Sequence, residues 1–277
     1  MSAHGEHIKP ASSSLAASRL LSIARRLVPW LLPILLVFLW YLGGVYGWFS
    51  KSLLPTLPVV VETTVKMVLD GSLLKHFLVS GGRALFGFSI GTAVGLAFGL
   101  VNGISRLSEE LTDTTFQMIR NVPILALFPI ILIWFGIGET SKIVMIALAV
   151  FFPVYINTYS GVKSVDPGLI EMGRVYGLTK RELYAKIILP GALQSILVGI
   201  RFSLGITWLV LILCETVATS TGIGYMATNA RAIMRMDVVV LSILLYAILG
   251  KLSDTVARLL ERGLLRWNPV FQKKTSW

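Results

Sequence analysis

Apolar residues in this chain fall in long blocks rather than in an alternating or one-faced pattern. Six blocks stand out, at about 29–49, 81–104, 122–137, 142–160, 193–213 and 238–252, the last continuing to about 260. About 20 apolar residues in a helix rising 1.5 Å per residue match the ~30 Å hydrocarbon layer of a bilayer. Only a helix or a closed barrel satisfies every backbone polar group inside that layer. The pattern predicts an all-α integral membrane protein with about six transmembrane helices. Between the first two blocks, residues 50–78 carry Pro55 and Pro58 and then a run of mixed polarity over 59–69, which reads as an interfacial or external helix. Residues 105–121 are polar, residues 214–237 are mixed and glycine-rich, and no internal repeat or soluble domain is evident.

Two blocks have internal features. In the second, Gly87, Gly91, Gly95, Gly99 and Gly103 recur every four residues and make one side-chain-free stripe on a helix. Such a face admits a neighbouring helix closely, the main device for helix association in lipid; the neighbour belongs either to this chain or to a second copy. The third block contains Pro123 and Pro129, which break the backbone ladder and need protein or a cavity around them at that depth. Trp30, Trp48 and Phe49 sit near the ends of the first block, where amphipathic rings favour the headgroup level.

Composition sharpens this picture. The 277 residues are 55% hydrophobic and only 14% charged, against about 25% charged in a soluble domain. A formal charge of +11 raises the possibility of nucleic acid, but no basic patch is interleaved with stacking aromatics. The charges follow topology instead. With six spans both termini share a side with the polar stretch at 166–190. That side carries Lys9, Arg19, Arg25, Arg26, Arg106, Arg120, Lys163, Arg174, Lys180, Arg181, Lys186, Lys251, Arg258, Arg262, Arg266, Lys273 and Lys274. The other carries Lys51, Lys66, Lys75, Lys142, Arg231 and Arg235. The bias of about three to one places the termini in the cytoplasm, where anionic lipid also attracts basic segments. Residues 1–28 read as a cytoplasmic tail ending in a short basic amphipathic helix, retained rather than cleaved, because the apolar run after Arg26 is too long for a signal peptide and no cleavage-like site follows it. The lone Cys214 excludes an internal disulfide, and His4, His7 and His76 are too scattered for a metal site.

The stretch Asp166–Pro190 is polar and carries a full set of local stop and start signals. Asp166 suits an N-cap and Pro167 the first helical position. Gly177 suits a left-handed helix end. Thr179 and Glu182 form a Thr-x-x-Glu capping box, and Pro190 ends or kinks the helix that follows. The expected structure is two short helices joined by a rigid glycine turn on a membrane face.

Glu171-Met172-Gly173, Gly177 and Ile187-x-Leu189-Pro190 also resemble, at fixed spacing, the E-A-A-x3-G-x9-I-x-L-P loop of the permeases of ABC importers. Met172 and Gly173 stand where that pattern has two alanines. From about 74 to 264 the chain is similar to the binding-protein-dependent type I permease domain. The carrying segments are Met118 to Gly136, which includes Arg120-Asn121-Val122-Pro123, and Glu215 to Arg231. Within the family the likeness is greatest to permeases of aliphatic sulfonate importers, while taurine, nitrate and thiamine-precursor permeases share most of the framework. The resemblance implies four regions: a cytoplasmic tail over 1–28, a first transmembrane helix and external connection over 29–73, the permease domain over 74–264, and a cytoplasmic tail over 265–277. It implies a multi-pass protein of the bacterial plasma (inner) membrane that works with a second copy of itself. Its further partners would be ABC ATPase subunits, which bind ATP and Mg, and a periplasmic or lipid-anchored substrate-binding protein. It implies that the loop Glu171–Pro190 couples the spans to the ATPase, with Glu171 salt-bridging or capping and Gly177 supplying the turn.

The chain's own chemistry agrees with a non-enzyme without a cofactor. There is no G-x-x-x-x-G-K-[ST] phosphate loop, no H-E-x-x-H and no G-x-S-x-G. Ionisable groups inside spans are candidates for a translocation pathway. Arg201, within the fifth block, either faces a pore or snorkels to the cytoplasmic boundary. Glu215 closes the fifth block, gating, pairing with Arg231 or Arg235, or serving no role. Arg83 is expected at the interface, and Asn121 is placed to cap the third block. Trp134-Phe135 reads as packing. A self-contained secondary transporter or channel is the alternative, but acidic residues for a coupling-ion site are scarce inside the spans, and the polar loop would have no purpose.

Overall fold

The computed structural model describes residues 12–50, 53–217 and 219–267, with side chains from Val28 onward. His4, His7, Lys9, Lys51, Lys273, Lys274 and the side chains of Arg19, Arg25 and Arg26 therefore lie outside the described residues. The chain divides into two compact units, Met1–Glu62 and Thr63–Trp277. In the first, α1 (Ser12–Val45) contains an apolar stretch, Val28–Val45, whose side chains are nearly all exposed. Trp40 Nε1 donates to the Pro55 carbonyl at 3.1 Å, holding the turn that leads to α2 (Leu57–Leu69).

The second unit is a helical bundle. Its long members are α3 (Ser72–Ile104), α6 (Glu139–Lys163), α9 (Leu189–Val217) and α11 (Met236–Leu264). Shorter helices are α4 (Arg106–Arg120), α5 (Phe128–Phe135), α7 (Pro167–Val175), α8 (Lys180–Leu183) and α10 (Ile223–Ala232). Among the described residues, five helices are long and apolar enough to cross a membrane, or six if the bent pair Arg106–Arg120 and Ile124–Phe135 counts as one span.

The glycine stripe lies against α6 of the same chain. A Cβ built on Gly87, Gly95, Gly99 or Gly103 would come within 2.6–2.8 Å of Ile146, Phe151 O, Thr158 and Val162 respectively. Gly91 is as close to Ala147 and Val150. The seam continues onto α9, where Gly161 meets Ser195 and Gly199 meets Asn157 and the Pro153 carbonyl. Backbone against backbone brings the α3–α6–α9 core together without large side chains, the association that lipid favours. Met145, Ile146, Ala149, Val150, Val154, Leu211 and Cys214 form its buried centre.

Three expected elements differ. The second span begins at Ser72, nine residues before the expected 81, because His76, Ser80 and Arg83 spend their polar groups inside the protein rather than on water. The third block is not one straight helix. Pro123 precedes a single 3-10 turn (Ile124–Leu127), Pro129 sits in the first turn of α5, and α5 is bent by 88° from α4. Eight residues of helix reach only about 12 Å. The fifth span begins at Lys180, because the helix runs on from α8 through Pro190 to Val217. A π-helical turn over Tyr184–Ile188 carries it, with Leu189 N–H reaching back to the Tyr184 carbonyl. That wider turn relieves the clash and the missing donor that a proline brings to an α-helix.

Gly95→Val should therefore break the α3–α6 seam. Overpacking of this kind costs about 1–3 kcal/mol, which should appear as a lower melting temperature of the detergent-purified protein. Gly81→Ala, at a site with nothing within 4 Å of the new carbon, should leave it unchanged or raised.

Candidate functional site

The loop between α6 and α9 is built by its own sequence. Asp166 Oδ1 accepts the Gly168 N–H at 2.8 Å, and Pro167 opens α7 where no donor is needed. At the other end, the Gly177 N–H donates to Arg174 O and the Leu178 N–H to Gly173 O, both at 3.0 Å. These two bonds define a Schellman cap, which requires the left-handed backbone of Gly177, φ +75°. Thr179 and Glu182 then bond each other's backbone N–H at 3.3 and 3.1 Å, the expected capping box. Gly173 is the contact between the helices. A Cβ there would come within 2.6 Å of Ile187 Cδ1 and 2.8 Å of Leu183 Cδ1. Met172 faces outward, so its bulk costs no packing.

The exposed face of α7 is apolar. Leu169, Met172, Val175 and Tyr176 lie uncovered, the last two 81% and 80% exposed. Glu171 is exposed beside them. It was expected to salt-bridge or cap. Among the described residues it makes no hydrogen bond or ion pair, because Asp166 already holds the α7 N-terminus and Glu171 points away from the bundle. Ile187 packs on the bundle side and Leu189 is exposed.

At the end of the bundle remote from this loop lies a buried charge network. Arg83, only 3% exposed, donates from Nη1 to Glu215 at 2.7 Å and from Nε and Nη2 to Glu139 at 2.5 and 2.6 Å. Its nitrogens also reach the Thr221 carbonyl and the Thr219 and Thr221 hydroxyls. Glu215, 1% exposed, further accepts from the Ser80 hydroxyl, the Gly224 N–H and the Tyr246 hydroxyl. Lys142, also buried, reaches Glu139 at 3.1 Å. His76 Nδ1 accepts the Gly222 N–H at 3.0 Å, so that nitrogen carries no proton. Two cations face two carboxylates, and α3, α6, α9 and the start of α10 meet at them.

The remaining candidates are dispersed. Arg83 is buried within the bundle, where it supplies the counter-charge that Glu215 needs. Glu215 pairs with it and not with Arg231 or Arg235; Arg235 pairs with Asp237 at 3.0 Å. Arg201, half-buried on α9, is held by Asp254 at 2.7 Å and Glu261 at 3.4 Å, both on α11. It lines an open groove of about 490 Å³ with Phe202, Gly205, Ile206, Leu209, Gly250 and Asp254. Asn121 ends α4 instead of capping the next helix: it is exposed in an ordinary helical conformation, and the 3-10 turn starts from Pro123. Trp134 is exposed rather than packed.

Residues 89–266 match the family described as binding-protein-dependent transport system inner membrane component. The chain belongs to that family. Over 251 residues it is 51% identical to the protein of Escherichia coli (strain K12) named as an aliphatic sulfonates transport permease protein, SsuC, covering 91% of this chain and 95% of that one. The like-named protein of Bacillus subtilis (strain 168) is 43% identical over 87% of this chain and 88% of its own length. A solved amino acid ABC transporter, crystallised with histidines, matches with a TM-score of 0.61 at 18% identity, over 72% of this chain and 97% of that one. At that identity the likeness is one of fold, and the fold is that of a type I importer permease.

In this permease the network around Arg83 is what reading by sequence missed. With the span taken to start at 81, Arg83 looked terminal. Nine further residues put it about 13 Å further from the helix start. The available signal was the acidic pair Glu139 and Glu215 at the corresponding ends of two other spans.

Glu215→Ala should leave the Arg83 guanidinium buried without its partner, a loss of about 3–5 kcal/mol for breaking a buried pair. Glu139→Gln should cost far less, because the Glu139 side chain is 58% exposed to solvent. Thermal unfolding of the two purified variants measures the difference.

Proposed function

We propose that this permease is the membrane subunit of an ATP-driven importer of small organic anions, aliphatic sulfonates foremost. The observation that carries the coupling role is the uncovered apolar face of α7. Three exposed apolar side chains on a nine-residue helix, with Tyr176 at its C-cap, are a poor solvent face and a good helix-in-groove contact. The cap, the glycine turn and the capping box make that helix a rigid lever. Gly173 seats it on the π-turn that leads straight into α9. A soluble ATPase that receives α7 would move α6 and α9 together. The charge bias toward the loop side supports placing the loop and both termini in the cytoplasm.

The chain has no phosphate-binding loop, so in this reading ATP and Mg bind to separate ATPase subunits. A second copy of the permease completes the pathway, and a periplasmic or lipid-anchored protein delivers the substrate. The sulfonate assignment is supported by the high identity to the E. coli and B. subtilis proteins over nearly their whole length. Of the pathway candidates, Arg201 is the one we retain, since it borders an open groove. Asp254 and Glu261 already share its charge, so an anion there would have to compete with them. Glu215 has no free surface, and its bonds give it a structural role.

Val175→Asp places a charge on the α7 face without touching the core. Co-purification of the ATPase with the permease should fall at least tenfold, with expression unchanged; undiminished co-purification rejects the coupling surface. Gly177→Val forces a β-branched residue into a left-handed conformation and should abolish uptake in membranes that still contain the protein. Cells dependent on this importer should grow on hexanesulfonate as sole sulfur source, and growth on taurine alone would move the substrate to the neighbouring class.

A further inference from the structure

α4 differs from the long helices of the second unit. Among the described residues it buries no side chain, and Leu107, Leu111, Met118 and Ile119 lie exposed along it. It is held on one face only. Phe116 packs edge-on against Phe98, Phe151 and Tyr155 at centroid distances of 5.4, 5.5 and 4.9 Å. The buried Asn102 amide bonds Thr112 at 2.6 Å and Tyr155 at 3.0 Å and accepts from Ser108 at 2.6 Å. The third tie is Glu109, whose two oxygens take the Tyr159 hydroxyl and, at 2.5 Å, the Lys163 ammonium.

Lys163 is the last residue of α6 and stands three residues before Asp166, the N-cap of α7. Its ammonium also lies 5.8 Å from the centre of the Tyr159 ring. The Glu109–Lys163 pair therefore joins α4 to the residue at which the coupling loop begins. It is partly exposed, at 23% and 43% for the two side chains, and pairs of that kind add little to stability. Helices with few buried contacts are the ones that move most easily, and α4 leads into the 88° bend and α5, whose end exposes Ile133 and Trp134.

We propose that Glu109 and Lys163 are positioning residues for transport: their ion pair, steadied by Tyr159, hands displacement of the coupling loop to the α4–α5 bent pair. This rests on the coupling role given to α7 above. The pair transmits movement, while the glycine seam and the Arg83 network keep the α3–α6–α9 core rigid.

The experiment uses the permease reconstituted in vesicles with its ATPase and binding protein, and reads hexanesulfonate uptake and ATP hydrolysis in the same sample. Glu109→Lys and Lys163→Glu should each lower uptake per ATP hydrolysed at least fivefold, with melting temperature and hydrolysis retained. The double exchange should restore the ratio to within twofold of the parent. Single variants with the parental ratio, or a double exchange that restores nothing, overturn the proposal. Where a charge reversal does not insert, Tyr159→Phe removes one hydroxyl with no loss of packing and should lower the ratio about twofold; an unchanged ratio again overturns it. A parent complex that shows no ATPase association defeats the coupling reading itself, an outcome distinct from coupled parent and coupled variants.

Discussion

Five glycines on α3 let two helix backbones come close, and much else follows from that distance. In lipid there is no hydrophobic drive between helices, so association depends on packing and on the few polar bonds that form. The stripe from Gly87 to Gly103 lets α3 rest on the α6 backbone for nearly five turns. Gly161 and Gly199 extend the same geometry to α9. Any methyl in this seam would push two backbones apart, and the separation would be felt along both helices because neither has flexible side chains there to yield.

Close approach also explains how the bundle tolerates charge. Arg83 and Glu215 could not be buried on helices held apart by large side chains. The cost of desolvating them is offset only when every donor and acceptor is met. Here Arg83 reaches two carboxylates, two hydroxyls and a carbonyl, and Glu215 collects a guanidinium, two hydroxyls and the backbone N–H of Gly224. The carboxylate also lies at the N-terminus of α10, where the helix dipole favours a negative charge. Seam and network act at different heights on the same three helices, one through shape and the other through charge.

What could be read from the amino-acid order divides along local and non-local lines. The caps of the two-helix loop were legible, since each lies two or three residues from what it bonds: Asp166 with Gly168, Gly177 with Arg174, Thr179 with Glu182. The glycine stripe was legible as a stripe, but its partner was not, because periodicity on one helix says nothing of the other. Arg83 was not seen as a core residue for a related reason. Its partners are 56 and 132 residues away, and hydropathy alone set the start of its helix too late. Of the two outcomes expected at Pro190, an end or a kink, the end does not occur, because a single π-turn can absorb a proline that an α-turn cannot. The third block departs in shape: Pro123 and Pro129, spaced six apart, interrupt it, and it joins α4 as one bent pair.

These parts form a mechanical gradient. The α3–α6–α9 core is the stiff member, welded by backbone contact along its length and by ion pairs at one end. The two-helix loop is stiff as well, but its outer face is apolar and uncovered, so its stiffness serves contact with something outside the chain. Between the two runs the continuous helix from Lys180 to Val217, which gives the loop a direct line to the far end where Glu215 sits. α4 and α5 are the compliant member, bent and held on one face. Force applied at α7 therefore meets resistance along α6 and α9 and finds the least along α4. A bundle whose helices were all equally buried would either transmit nothing or deform everywhere. The uneven burial seen here is what allows one part to move against the rest.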